Sequence, residues 1–262
     1  MRQLILAAGL LLAVSPAQAP LQAQPARPKL VVLIAVDQMR ADYPVRYSSV
    51  LEKGLHRLTS EGAWYRNAAY PYLNTVTCAG HATLGTGTLP YKHGLSQNVW
   101  YDRESGHSVA CTADSRVSNV SSGGTAGGPG DSAARLLVPT LAEIMHRDLK
   151  ARVVTMSIKA RAAIGLAGHT GDAVLWIDDR GGLQTSTAFT PGLPSWADAF
   201  MRANPVDHDA GRIWERTLPA DRYQYADDPP GEKPGGGWSA TFPHRLGAAG
   251  DAAFYRHWEQ SP

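Results

Sequence analysis

Residues 74–83 (NTVTCAGHAT) bring a hydroxyl, a thiol and small residues together where the pattern predicts the start of a helix. A hydroxyl at this place, as on Thr77, would lie beside free backbone N–H groups and the positive end of the helix dipole, which favour an anion such as phosphate. The small residues Ala79 and Gly80 would let a substrate approach the backbone closely. The alternative is that Thr77 only caps the helix.

Charged residues follow two apolar runs elsewhere in the chain. Asp37 ends the run 30–36 (LVVLIAV), whose unbroken apolar character predicts a strand buried on both faces of a parallel sheet. Ligands of such sheets bind beyond the carboxyl ends of strands, so Asp37 is either a ligand-binding or catalytic group or a helix cap. Lys159 and Arg161 follow a predicted strand over 152–158, and in extended backbone they would point into one pocket. A solvated basic pair is the alternative.

Predicted strands and helices alternate along the chain, which favours an α/β fold with a largely parallel sheet. Residues 114–135 are rich in Ser and Gly and predict a flexible loop. Residues 204–244 show no period and are interpreted as a lid, a crossover or an insertion. The other predicted strands are 63–70, 98–102, 173–177 and 183–189, and the predicted helices are 48–60, 139–145, 194–203 and 250–258.

Composition narrows the class of protein. The 262 residues are 44% hydrophobic and carry a formal charge of +2 without a block of like charges, which argues against nucleic acid or an anionic membrane surface as partner. Residues 1–23 begin with a positive residue, continue with an apolar run over 4–14 and end in small residues, as a secretory signal peptide does. That run is shorter than the roughly 20 residues of a membrane span, so we expect a periplasmic or secreted protein.

The sequence contains two cysteines, Cys78 and Cys111. An oxidising compartment permits a disulfide between them, and two buried thiols are the alternative, because spacing alone does not show whether their Cα atoms come close enough.

Several segments occur in an order that resembles the alkaline phosphatase superfamily, which also contains nucleotide pyrophosphatases/phosphodiesterases and sulfatases. They are VDQMR at 36–40, TVTCAGHATLGTGTLPYKHGL at 75–95, Asn98 and SIKARAAI at 157–164. The segments GHTGD at 168–172 and TSTAF at 185–189 are similar to the PafA-like branch of bacterial phosphate-monoester hydrolases, which use a threonine nucleophile. The resemblance covers roughly residues 29–189 and implies an α/β, alkaline-phosphatase-like fold with a mostly parallel sheet flanked by helices.

The resemblance also implies roles for five residues. Asp37 would be a zinc ligand, and Thr77 would be both a ligand of the same zinc and the nucleophile. Asn98 would donate a hydrogen bond to a phosphoryl oxygen, and Lys159 and Arg161 would contact phosphoryl oxygens in the transition state. Two zinc ions would then assist attack by Thr77, formation of a phosphothreonine and its hydrolysis by water.

Other parts of the family pattern are not found. Its further zinc ligands belong to DxxxH and DH motifs and a late His, which have no convincing counterpart after Phe189. Asp207 and His208 form an adjacent pair in an unsuitable setting. We therefore expect residues 24–262 to be the N-terminal part of a catalytic domain truncated at its C-terminus, with 190–262 poorly defined, an exposed sheet edge and little activity alone. His81, His93 and His169 are interpreted as packing or structural residues.

The sequence thus predicts part of a zinc-dependent phosphate-monoester hydrolase acting on a small-molecule phosphate ester, without nucleic acid or membrane as partner and with its oligomeric state open. Lys159 and Arg161 favour monoesters, because two cations suit a doubly charged phosphoryl group. The alternatives are a phosphodiesterase or nucleotide pyrophosphatase, and a non-catalytic, secreted phosphate-binding remnant. A sulfatase is disfavoured because the residues after Cys78 do not match its formylglycine motif.

Overall fold

The computed structural model describes residues 28–122, 124–125, 129–231 and 237–261. It divides into two units, Met1–Val36 and Asp37–Pro262, which are described separately. The predicted signal peptide over 1–23 lies outside the described residues. Within them, no helix is long and apolar enough to cross a membrane.

In the first unit, the predicted strand over 30–36 is not formed. The run has no strand pairing and is solvent-exposed, with Leu30 at 78% and Ile34 at 73% exposure. An apolar run becomes a buried strand only when neighbouring strands satisfy its backbone groups, and none of the described strands pairs with it.

The second unit contains all the regular elements that the structure describes. Its α-helices are α1 Tyr43–Arg46, α2 Gly54–Glu61, α3 Thr77–Thr86, α4 Pro90–His93, α5 Leu141–Leu149, α6 Ala160–Ala167, α7 Ser195–Ala203 and α8 Ala252–Gln260, with 3-10 turns at Val206–Asp209 and Ala220–Arg222. Its strands are β1 Val99–Asp102, β2 His107–Ala110, β3 Ala113–Asp114, β4 Asn119–Ser121, β5 Gly124–Thr125, β6 Gly130–Asp131, β7 Val154–Ser157, β8 Ala173–Ile177, β9 Leu183–Ser186, β10 Ile213–Trp214 and β11 His244–Arg245.

A five-stranded sheet in the order β5-β4-β9-β8-β7 forms the centre of this unit. Strands β7 and β8 pair in parallel, and helix α6 connects them. Strand β9 pairs antiparallel with β8 after a turn in which Asp178 accepts backbone N–H bonds. The predicted α/β class is therefore confirmed. Among the described strands of this sheet only the β7–β8 pairing is parallel, so the sheet is mixed and not largely parallel as the sequence favoured. The β7–α6–β8 unit places Lys159 and Arg161 at the carboxyl end of β7.

Helices α3 and α6 pack against each other at very close range. A Cβ atom added to Gly85 would lie 2.4 Å from the carbonyl oxygen of Gly165, and one added to Gly165 would lie 3.0 Å from Cβ of His81. Around this contact, a buried cluster combines both helices with β8 and includes Cys78, Cys111 and Ile164. The absence of side chains on both glycines thus sets the distance between the two helices that carry the predicted site.

The structure corrects two further predictions. The segment 63–70 is not a strand. Its last residue precedes Pro71, and its aromatic side chain at Tyr70 reaches α3 instead. In the predicted flexible loop 114–135, the described residues form β3 to β6. Asp131 accepts hydrogen bonds from Thr112 and Asn119 there, so side-chain bonds hold a segment whose composition alone favours a loop.

Between 204 and 244 the described residues form two short 3-10 turns and the β10–β11 pair. Aromatic rings hold this region: Trp214 and Trp238 contact edge to face, and His244 stacks on Trp238. Helix α8 follows, close to its predicted position.

Candidate active site

The hydroxyl of Thr77 lies beside the carboxylate of Asp37. Thr77 is the first residue of α3, and the extended backbone of Val76 leads into it. Its Oγ1 donates a hydrogen bond of 2.9 Å to Oδ2 of Asp37, which stands in a turn. Gln38 in that turn has a left-handed φ of 59°. Two residues 40 positions apart, predicted to share a metal ion, are therefore neighbours.

Asn98 is fixed by the two cysteines. Its side-chain Oδ1 accepts the backbone N–H of Cys78 at 2.9 Å, and its backbone carbonyl accepts the N–H of Cys111 at 2.9 Å. Cys78 and Cys111 form a disulfide and are both buried, which settles the alternative that the sequence left open. Because Oδ1 already accepts, the free donor of the Asn98 amide is its Nδ2 group.

Two tyrosines that sequence reasoning did not select hold the first turns of α3. The hydroxyl of Tyr70 donates to the carbonyl of Gly80 at 3.4 Å, and that of Tyr72 donates to the carbonyl of Ala79 at 3.3 Å. Burial raises the pKa of Tyr70, and electrostatic interactions with Tyr72 and Asp37 raise it further. Tyr70 therefore stays a neutral donor beside Asp37. The aromatic segment directly before the helix was the signal that could have found it.

The two predicted cations, Lys159 and Arg161, differ from each other in their contacts. Lys159 stands at the N-cap position of α6 without a side-chain capping bond, and Arg161 lies in the first turn of the helix, not in the extended backbone that the sequence predicted. The ammonium group of Lys159 forms an ion pair with Glu259 of α8. Nε of Arg161 is buried and has no hydrogen-bond partner within the described residues. In the same part of the chain, no hydrogen bond or ion pair joins either cation to Asp37, Thr77 or Asn98.

Two of the three histidines interpreted from the sequence are buried, His81 and His93, whereas His169 is exposed. Nδ1 of His81 bonds the carbonyl of Thr77 at 2.9 Å, one turn back in the helix. His93 is fully buried, accepts the N–H of Leu95 at Nδ1, and has a pKa lowered by burial. His169 pairs with Glu143 at 3.0 Å.

The described residues fit a metal ion only in part. The oxygens of Asp37 and Thr77 are adjacent hard donors, suited to two positions around zinc, which usually takes four ligands. Across residues 28–122, 124–125, 129–231 and 237–261, no group of three or more His, Cys, Asp or Glu side chains is placed to hold a metal. Asp207 accepts the hydroxyl of Tyr255 instead. Asp37 and Thr77 can therefore contribute ligands without completing a site.

Comparison with known protein families assigns the chain to one of them. Residues 31–229, more than half of the chain, match the family model described as type I phosphodiesterase / nucleotide pyrophosphatase. The chain belongs to this family. Its predicted resemblance to the PafA-like branch of the alkaline phosphatase superfamily is confirmed by the relatives below.

Curated relatives include alkaline phosphatase PafA of Elizabethkingia meningoseptica, which is 39% identical over 202 residues, equal to 75% of this chain and 37% of PafA. Alkaline phosphatase PhoV of Synechococcus elongatus is 35% identical over 226 residues, equal to 84% of this chain and 41% of PhoV. The chain spans about two fifths of the length of these relatives.

A solved structure gives the same result at the level of the fold. The crystal structure of a PafA variant matches 86% of this chain and 44% of that chain, with a TM-score of 0.74 and 32% identity. The variant carries substitutions of one threonine, one asparagine, one lysine and one arginine. The alkaline-phosphatase-like fold predicted from the sequence is thus confirmed for the matched part.

Proposed function

We propose that this chain is the nucleophile-bearing part of a zinc-dependent phosphate-monoester hydrolase. One observation carries the proposal: the hydroxyl of Thr77 lies 2.9 Å from the carboxylate of Asp37 at the start of α3, beside an asparagine with a fixed donor. This arrangement joins a nucleophile, a group that polarises it and a donor for the transferred group.

The chemistry that these residues support is a two-step displacement. Thr77 Oγ1 loses its proton to solvent and attacks the phosphorus atom, the ester P–O bond breaks, and the leaving alkoxide takes up a proton from water to give the alcohol. Water then attacks the phosphorus of the phosphothreonine, which restores the hydroxyl and releases inorganic phosphate. Nδ2 of Asn98 and the first backbone N–H groups of α3, apart from that of Cys78, which bonds Asn98 Oδ1, supply donors for the negative charge on the phosphoryl oxygens.

Lys159 and Arg161 complete the proposed phosphoryl site. The four residue types substituted in the PafA variant are Thr, Asn, Lys and Arg, with the same separations along the chain as Thr77 from Asn98 and Lys159 from Arg161. The buried Nε of Arg161, which has no hydrogen-bond partner among the described residues, also fits an arginine that binds an anion. Both observations support a phosphate ester as the substrate.

Zinc bound through Asp37 and Thr77, with the remaining ligands supplied from outside the described residues, would provide the positive charge that lets a threonine hydroxyl ionise near neutral pH. The family relatives are more than twice as long as the matched segment, which supports ligands elsewhere in the complete enzyme. The 262-residue chain should therefore bind phosphate but hydrolyse esters poorly.

Two other functions have support of their own. The description of the matching family model favours a phosphodiesterase or nucleotide pyrophosphatase. The incomplete ligand set among the described residues favours a phosphate-binding protein without catalysis. The rates at which a protein as long as the relatives hydrolyses phenyl phosphate, a monoester, and diphenyl phosphate, a diester, would separate these functions.

The proposed location is the periplasm or the cell exterior. A buried disulfide persists in an oxidising compartment and is rare in the cytosol. The N-terminal pattern read as a signal peptide agrees with this location. Mass measurement of the mature protein from an exporting host would show whether residues up to about 23 are removed.

The direct test measures phosphate binding to the 262-residue chain by calorimetry, with and without zinc. We expect binding that R161A weakens, and turnover of phenyl phosphate close to background. Absence of phosphate binding to the unmodified, folded chain would overturn the proposal. Rapid turnover with stoichiometric zinc would instead show that the ligand set is complete.

A further inference from the structure

The ion pair between Lys159 and Glu259 joins the predicted phosphoryl site to α8, a helix that has no part in the proposed function. Glu259 lies in the last turn of α8, 100 positions after Lys159 in the sequence. A carboxylate therefore already holds the ammonium group that would contact a phosphoryl oxygen.

Polar contacts away from the pair hold α8 in place. The hydroxyl of Tyr255 donates to Asp207 at 3.1 Å, and the indole N–H of Trp258 donates to Asp209 at 2.9 Å. Glu259 is thus presented to Lys159 by a helix that is anchored twice, on the adjacent 3-10 turn. It is not a freely moving surface side chain.

Glu259 lies at the wall of a cavity of about 420 Å³, next to which Lys159 follows the lining residue Ile158 in the chain. Ile158, which precedes Lys159, and Ile177 at the end of β8 line this cavity together with Trp258 and Glu259. Both members of the pair are partly exposed, Lys159 at 45% and Glu259 at 32% of the side chain. Such a pair is weak enough to exchange partners.

We propose that Glu259 competes with the phosphoryl group for Lys159, an inference that rests on the proposed function. An anion that uses Lys159 must first replace the Glu259 carboxylate, so part of its interaction energy is spent on breaking the existing pair. Glu259 thereby lowers affinity for every anion that uses Lys159, including the inorganic phosphate released as product.

The test compares E259Q with the unmodified 262-residue chain in calorimetric titrations with inorganic phosphate and phenyl phosphate. Because exposed ion pairs contribute modestly, we expect E259Q to tighten both ligands by about two- to five-fold. E215Q is the matched control, because Glu215 lines the same cavity and loses the same charge without contacting Lys159. Its effect should stay below about 1.5-fold.

A double substitution assigns the effect to the pair. In a K159A background, E259Q should no longer change phosphate affinity, because the competition acts through Lys159. Unchanged or weaker binding by E259Q in the native background, or an equal gain from E215Q, would overturn the inference.

Hydrogen exchange of the α8 backbone amides tests the contact without any phosphate. K159A and E259Q should each speed exchange in α8 by about two- to five-fold relative to E215Q, because each removes the same link. Equal exchange in all three variants would also overturn the inference. Failure of the proposed function has a different signature, namely absence of phosphate binding to the native chain while α8 still responds to K159A and E259Q.

Discussion

The two halves of the candidate site are held by opposite means. Around Thr77 and Asn98, which are half-buried, a disulfide, backbone hydrogen bonds and a glycine contact fix the groups against a buried cluster. Around Lys159 and Arg161, one cation pairs with a partly exposed carboxylate and the other has a buried nitrogen without a partner. We call these parts the nucleophile half and the cation half, after their proposed roles. We propose that the nucleophile half is fixed before an anion binds, whereas in the cation half Lys159 must leave Glu259 when an anion binds.

Removing the disulfide should have the largest effect on the nucleophile half. The bond closes a loop between residues 33 positions apart, for which chain entropy gives about 3–4 kcal/mol of stabilisation. We expect C78A/C111A to lose about that much free energy of unfolding in a denaturant titration. The native protein measured with and without reductant is the control. A loss below about 1 kcal/mol would show that backbone contacts alone fix this half.

The contact between α3 and α6 gives the next prediction. G85A would place a methyl group 2.4 Å from the Gly165 carbonyl oxygen, and overpacking of this kind costs about 1–3 kcal/mol. Chemical denaturation should therefore show a loss of about 3 kcal/mol. G192A is the control because its Cβ would meet nothing within 4 Å, and it should stay within about 0.5 kcal/mol of the native protein. Equal stability of the two variants would contradict the close packing.

Asp114 supports the strand that follows Cys111 and should make this half sensitive to acid. Hydrogen bonds from Arg116 and Ser132 hold its pKa well below the usual range against the opposing effect of burial. Its contribution is fully present above the unfolded pKa of about 3.9 and is lost as the pH falls from there towards the folded value.

We expect D114N to cost about 2 kcal/mol at pH 7, because hydrogen bonds to a charged group are lost. The difference from the native protein should shrink below about pH 4, where Asp114 of the unfolded chain takes up a proton while the folded protein still holds it as a carboxylate. Denaturant titrations at pH 7 and pH 3 would measure this. A cost that does not depend on pH would show that the charge of Asp114 is not involved.

The cation half should respond in binding and hardly in stability. R161A should weaken phosphate binding about tenfold, which corresponds to about 1.4 kcal/mol. K159A should weaken it less, because the native lysine must leave Glu259 before it can bind phosphate. Calorimetric titration of both variants measures the difference, with R180A as a control outside the predicted site. Equal losses for K159A and R161A would remove the contrast between the two cations.

The sequence predicted the fold best where local pattern and tertiary partners agree. The strand predicted at 173–177 has the bounds of β8, which is apolar and buried. The helix predicted at 139–145 forms as α5 at 141–149, where the structure shows a capping box between Thr140 and Glu143. The apolar run 30–36 satisfies the same strand pattern but has no pairing partner among the described strands. Periodicity records what a segment can bury and carries no information on what covers it.

For the site, sequence reasoning selected the residues but not their present partners. The positions of Asp37, Thr77 and Asn98 came from motif order, and the structure brings these three together. Their catalytic and ligand roles stay predictions. Glu259 could not be found, because a pair separated by 100 positions leaves no local pattern. Tyr70 left a signal, but an aromatic residue before a helix is usually only packing.

The link between Cys78 and Cys111 also orders events during synthesis. The ribosome makes Thr77 and its helix first, but their covalent anchor does not exist until residue 111 has emerged and an oxidant has removed two electrons from the thiols. The backbone carbonyl of Asn98 likewise has to wait for the N–H of Cys111, whereas its side chain bonds Cys78, which is made earlier. A newborn chain in a reducing environment would therefore contain every residue of the nucleophile half while lacking its covalent constraint.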